Sequence, residues 1–116
     1  MNMRTFAELT GLTPYTLRYY EKIGLLKGVQ RNDSGHRVFS TKEVKWVEFI
    51  IRLKETGMPL EQILHYSELR EQGEETILAR QRMLEVHRKA LKNKLKSQMK
   101  HLSALDSKIE FYKKHT

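Results

Sequence analysis

Apolar residues recur along most of the chain at the three- and four-residue steps of helices, and the pattern breaks at a few sharp points. Gly11, Gly24, Gly57 and Gly73 each follow such a stretch and read as residues just past a helix C-terminus. Thr5 with Glu8, and Ser40 with Glu43, have the spacing in which a hydroxyl and a carboxylate satisfy backbone N–H groups at a helix start. Thr13 before Pro14 is another cap, with proline at the first helical position. This punctuation predicts helices at about 5–11, 13–23, 40–56, 59–72 and 74–113. Between the second and third lies KGVQRNDSGHRVFS, where Asn32, Asp33, Ser34 and Gly35 are turn formers between two short extended runs. That segment is expected to be a β-hairpin, and the chain as a whole mainly α.

Helical periodicity sorts the faces. On the second helix Leu17 and Tyr20 share one side and should pack on Phe6 and Leu9, while Tyr15, Arg18, Tyr19 and Lys22 point the other way. On the third, Val44, Val47 and Ile51 form one apolar side and Trp46, Phe49, Ile50 and Leu53 another, beside a polar stripe of Lys45, Glu48, Arg52 and Glu55. Trp46 taken alone reads as core. A single domain face is not expected to bury both sides, so the second should meet a partner's long helix. In the last helix Leu84, Leu91, Leu95, Gln98, Leu102, Leu105, Ile109 and Tyr112 form a heptad seam, with strict four-three alternation from Leu91 onward. A rod of about 60 Å is too long for its seam to be covered by the preceding domain, so a second copy of the rod is required.

Composition narrows the chemistry. The 116 residues carry 22 Lys and Arg against 14 Asp and Glu, for a net charge of +8 with His neutral, which suits a polyanionic partner, nucleic acid first. The excess lies at the two ends. Residues 1–40 carry six basic and three acidic groups, 41–73 five and six, and 74–116 eleven and five. Cys is absent, which excludes disulfides, thiolate zinc sites and a Cys nucleophile. His87, His101 and His115 share a heptad position, but 14-residue steps span about 21 Å and cannot chelate one ion. Ser34 and His36 have no carboxylate placed to orient the His, and no glycine-rich phosphate loop occurs. Neither an enzyme, nor a cofactor, nor a metal site is expected. The opening MNMRTFAELTGL has no apolar signal core and no window approaches a membrane span, so a soluble, cytoplasmic chain without membrane contact is expected.

Two short helices joined at Gly11 and Leu12 have the dimensions of a helix-turn-helix, whose second helix enters the major groove of DNA. Arg18 and Lys22 can neutralise phosphates or reach a guanine edge, and Tyr15 and Tyr19 can donate to phosphate oxygens. The same four residues would also suit a solvated helix face. The hairpin adds Arg31, His36 and Arg37 near its tip, where a wing would lie along the phosphate backbone. Arg88, Lys89, Lys92, Lys94, Lys96 and Lys100 form a basic run on the long helix; it reads more simply as a solvated coiled-coil face than as a second anion-binding surface.

The run TPYTLRYYEKIGLL, then RNDSGHRVFS, then LKETGMPLEQI, resembles the DNA-binding domain of the MerR family of bacterial transcription regulators. The resemblance covers residues 3–73, and the helix after it corresponds to that family's dimerisation helix. It implies a winged helix-turn-helix domain over 1–73, with the helix-turn-helix at 3–23 and the wing at 27–40. An antiparallel coiled-coil helix over 74–116 follows. It implies DNA contacts by Arg18, Tyr19 and Arg37; with the residue reading, the expected interface comprises Arg4, Thr13, Tyr15, Thr16, Arg18, Tyr19, Lys22, Arg31, Ser34, His36 and Arg37. The implied partners are double-stranded operator DNA, a second copy of the chain and RNA polymerase, with the promoter controlled by DNA distortion. KWVEFIIRLKETGM resembles the branch that senses aldehydes and related electrophiles, but Arg52 stands where that branch carries its sensing Cys. Thiol alkylation is therefore out of reach, and no effector is named by the residues. The competing expectation is a coiled-coil adaptor or architectural DNA-binding protein without an effector response.

Overall fold

The first helix starts at Asn2 rather than at Thr5. In the structure, a computed structural model describing residues 1–116, the Asn2 side chain accepts from the Thr5 N–H at 2.9 Å. Helix α1 therefore runs Met3–Thr10, its cap nearly a full turn earlier than the Thr5–Glu8 pairing predicts. Asn caps at least as well as Thr, and the earlier start leaves Thr5 inside the first turn as a donor. Gly11 ends α1 in the left-handed region at φ 74°, where its N–H reaches the Ala7 carbonyl at 2.9 Å. A β-carbon would be strained at that angle. Helix α2 (Pro14–Ile23) follows at once, capped by the Thr13 hydroxyl, which accepts from the Thr16 N–H at 3.1 Å.

Residues Met1–Ile77 form one compact unit. Its core gathers Phe6, Leu17, Tyr20, Leu25, Phe39, Val47, Ile50 and Ile63, all nearly free of solvent, and Phe6 stacks on Phe39 with ring centres 4.1 Å apart. Leu9, expected beside Phe6, is more than half exposed; Thr10 takes the buried position. Its hydroxyl donates to the Phe6 carbonyl at 2.9 Å, which is how a polar residue is accommodated there.

The hairpin is short. Strands β1 (Gln30–Arg31) and β2 (Arg37–Val38) pair antiparallel with Gln30 opposite Val38 and Arg31 opposite Arg37. The Asn32 side chain closes the tip by accepting from the Ser34 and His36 N–H groups at 3.0 Å each. At the base, Phe39 and Met1 exchange backbone hydrogen bonds of 2.6 and 2.7 Å.

Helix α3 (Thr41–Glu55) starts as its sequence predicts, the Glu43 carboxylate accepting from the Ser40 N–H and hydroxyl at 3.0 and 3.1 Å. Its burial departs from expectation. Val44, Val47, Trp46, Ile50 and Leu53 are all buried inside this unit, so most of both apolar sides is covered within a single domain. Helix α4 (Leu60–Glu71) folds back over it: Tyr66 stacks on Trp46 with ring centres 6.1 Å apart, and the Trp46 indole N–H donates to the Leu25 carbonyl at 2.7 Å. Phe49 and Ile51 remain half-buried.

A 3-10 turn at Gly73–Thr76 precedes helix α5 (Ile77–Lys114), so the long helix begins three residues later than its periodicity suggests. Residues Leu78–Thr116 form the second unit. No residue of α5 is buried; Leu91, Leu95, Gln98, Leu102, Leu105, Ile109 and Tyr112 are exposed, and Leu84 is half-exposed. From Val86 to Leu105 the helix carries six Lys and Arg and no acid. No helix of the chain is long and apolar enough to cross a membrane.

Candidate nucleic-acid interface

Helix α2 presents two opposite faces. Leu17 and Tyr20 are buried against the core, while Tyr15, Arg18, Tyr19 and Lys22 are exposed, with Tyr15 78% and Tyr19 44% accessible. The outward set lies at steps of three, four and seven residues and so forms one continuous strip of two cations and two phenols. The buried set is what holds the strip in place: Tyr20 is fixed by packing and by the Lys54 ammonium, which donates to its hydroxyl at 3.3 Å. Such a strip on a rigid helix can donate to phosphate oxygens and to guanine edges.

The hairpin lies beside this strip. A cleft of about 650 Å³ is lined by Asn2 and Arg4 of the N-terminal segment, by Arg18 of α2, and by Arg31, His36 and Arg37 of the hairpin, with no acid on its walls. Four arginines line one concavity, and those whose charge is not matched by an acid elsewhere make it a seat for phosphates. A second cleft, about 430 Å³, is of mixed charge: Lys27, Lys42, Glu43, Arg70 and Glu71 all line it, and the Arg70 guanidinium lies over the Trp46 ring 4.2 Å from its centre. It has no bias towards a polyanion.

The expected interface residues divide by what already holds them. Tyr15, Arg18, Tyr19, Lys22, Ser34 and His36 are exposed. Arg31 is exposed too, but its guanidinium donates to the Gly35 carbonyl at 2.8 Å and so helps fix the hairpin tip. Arg4 makes an exposed contact of 3.5 Å to Glu8, of a kind worth little in water. Thr13 is engaged otherwise: its hydroxyl caps α2 and donates to the Thr16 hydroxyl at 3.0 Å, so the pair acts first as a helix cap. Arg37 differs most from expectation. It is only half-exposed and makes a forked pair with Glu21 of α2, at 3.0 to 3.2 Å. Glu21 is absent from the expected interface, because a lone acid on a basic helix carries no sequence signal that it meets an arginine 16 residues later.

Comparison with known proteins agrees with this geometry. The family model described as MerR HTH family regulatory protein matches residues 1–69, and one described as MerR, DNA binding matches residues 44–110. The chain is 40% identical over 91 residues to the HTH-type transcriptional regulator AdhR of Bacillus subtilis, covering 78% of this chain and 65% of that protein. It is 37% identical over 108 residues to an HTH-type transcriptional regulator of Haemophilus influenzae, covering 93% and 80%. Among solved structures, HiNmlR, a MerR family regulator lacking the sensor domain and bound to promoter DNA, superposes with a TM-score of 0.86 at 35% identity, over 97% of this chain and 90% of that one. A MerR family transcriptional regulator from Listeria monocytogenes superposes with a TM-score of 0.90 at 35% identity, over 97% and 85%.

Proposed function

The chain belongs to the MerR family of DNA-binding helix-turn-helix transcriptional regulators, and from that premise we propose that it grips an operator as a homodimer and controls a promoter by distorting the DNA between its two half-sites. Each α2 enters a major groove with Tyr15, Arg18, Tyr19 and Lys22. The wing follows the flanking phosphates with Arg31, Ser34 and His36, and Arg4 and Thr16 complete the rim. The observation that carries this reading is the acid-free cleft between α2 and the hairpin, continuous with the exposed strip of α2. The seam Leu84, Leu91, Leu95, Gln98, Leu102, Leu105, Ile109 and Tyr112 joins two antiparallel α5 helices, and the protein acts in the cytoplasm with RNA polymerase as its working partner. The unit Met1–Ile77 is the DNA-binding domain, and α5 the dimerisation element.

Two grips fixed to one rod pair allow control without any contact to the central base pairs. Bending a site of 20 to 30 base pairs costs about 1 to 6 kcal/mol. An effector that distinguishes two dimer geometries by about 1 to 3 kcal/mol is enough to tip a nearly balanced pair of DNA shapes. The test uses an operator duplex that the protein itself selects from a random-sequence pool, and then the natural promoter containing it. Shortening that promoter's spacer by about two base pairs should make transcription high without activator while the protein still binds. If instead the natural spacer has ordinary length and bound protein only blocks polymerase, distortion gives way to simple repression.

A further inference from the structure

The wing is a ribbon of two residue pairs, too short to hold its own direction. Arg37 ties it to α2. Its Nε donates to both carboxylate oxygens of Glu21 at 3.2 Å, and its Nη2 donates to Oε1 at 3.0 Å. The side chains are 26% and 28% exposed, whereas the Arg4 and Glu8 side chains are 89% and 68% exposed. A forked guanidinium–carboxylate pair sets direction as well as distance, and shielding from water makes it firmer than a surface contact. Glu21 follows buried Tyr20 and lies three residues after exposed Arg18, at the border between the core side and the outward side of α2. An acid at that border would oppose a polyanion unless its charge were already matched.

We propose that Glu21 is the residue that positions the wing, and that Arg37 serves the same lock instead of contacting DNA. The proposal rests on the reading of the α2 strip and hairpin as the DNA interface. The lock joins the element that reads the groove to the element that follows the backbone, so that seating one places the other. Because the wing is ordered before DNA arrives, less freedom is lost on binding. Matching the Glu21 charge leaves the cations of the cleft wall, Arg18 first, without an opposing acid, while Arg31 keeps its bond to the Gly35 carbonyl.

The experiment measures affinity of the full chain for the duplex that the parent protein selects, across a salt series. Glu21→Gln and Arg37→Ala should each weaken binding about tenfold. The slope of log affinity against log salt should stay at the parent value, because the bound wing still meets the same phosphates. The double variant should be no weaker than either single one, Arg37→Lys should behave like Arg37→Ala because it lacks the fork, and exchanging the two residues should recover most of the affinity. Should a single variant unfold, the exchanged pair decides the matter: folded and strongly binding supports the lock, folded and weak overturns it. Tighter binding by Glu21→Gln, together with a slope lower by about 0.9 per protomer in Arg37→Ala, would show instead that Arg37 holds a phosphate and Glu21 competes for it. Arg18→Ala separates the two levels. If it weakens binding while the Glu21 variants match the parent, only the lock fails; if it too matches the parent, the interface itself is misplaced.

Discussion

Leu102→Asp is expected to turn the protein into a monomer at micromolar concentration, and with that to abolish stable operator binding. The seam on α5 is an apolar strip with nothing of its own chain over it; Leu102 is 52% exposed and Leu105 62% exposed. Its end positions, Leu84 and Tyr112, are equidistant from Gln98, so two antiparallel seams in full overlap place their two-fold axis at Gln98, one helical turn from Leu102. Both copies of the variant then bring a carboxylate into the same narrow interface. Losing a buried Leu alone costs about 2 to 5 kcal/mol, and an unpaired charge there adds a further penalty, because it can be hydrated only by opening the rods. A domain reduced to one half-site also forfeits the high effective concentration that a linked second site provides. Sedimentation equilibrium reads the first effect and operator titration the second. An undiminished dimer would put the interface on another face of α5.

Arg18→Ala is expected to lower operator affinity by about 30-fold or more, since a charged contact to a phosphate or base edge is worth about 1 to 3 kcal/mol and a symmetric dimer loses it twice. Arg18 stands at the middle of the exposed strip of α2 and also lines the arginine-rich cleft, so the proposed interface includes it under either docking of the helix. Salt dependence distinguishes its role. If it holds phosphates, the slope of log affinity against log salt falls by about 1.8 for the two copies; if it reads a base, the slope holds and discrimination between selected and random duplexes collapses. Tyr19→Phe removes one hydroxyl donor from the same strip and should weaken binding less. Parent-like affinity of Arg18→Ala at matched salt would remove this strip from the interface.

Much of this architecture is legible in the chain because it depends on local rules. Gly11 and Gly24 stop their helices through backbone angles that disfavour a β-carbon, Ser40 and Glu43 mark the start of α3, and Asn32 to Gly35 mark the hairpin tip. The misreadings lie where two local signals compete or where the partner is distant along the chain. Thr5 and Glu8 have the spacing of a cap, yet Asn2 three residues earlier caps as well and lengthens the helix. Leu9 and Thr10 are neighbours on α1, and hydrophobicity alone assigns the core to Leu9; the Thr10 hydroxyl, bonded back to the Phe6 carbonyl, makes it acceptable inside. The second apolar side of α3 looks unpartnered until α4 doubles back, a closure set by Gly57, Met58 and Pro59 and sealed by the Trp46–Tyr66 stack. Of the interface, the charged strip and the wing arginines are visible as residue types. Their commitments are not, because the partners of Arg37 and Arg31 are fixed by tertiary geometry and by the hairpin's own turn.

The acid-free middle of α5 gives the proposed assembly two opposite responses to ionic strength. Between Val86 and Leu105 the helix has six positive charges and no acid among them, and antiparallel pairing about Gln98 brings Lys96 of one rod level with Lys100 of the other. Added salt screens that repulsion within about 8 to 10 Å and strengthens self-association, while the same salt displaces the phosphate contacts that hold DNA. At high protein concentration, where the dimer is already complete, operator occupancy falls steadily as salt rises. When the protein is scarce, the salt-strengthened dimer offsets part of that fall, so occupancy declines less steeply with salt than it does at high protein concentration. Cell abundance and internal ion content then act on the promoter together rather than separately.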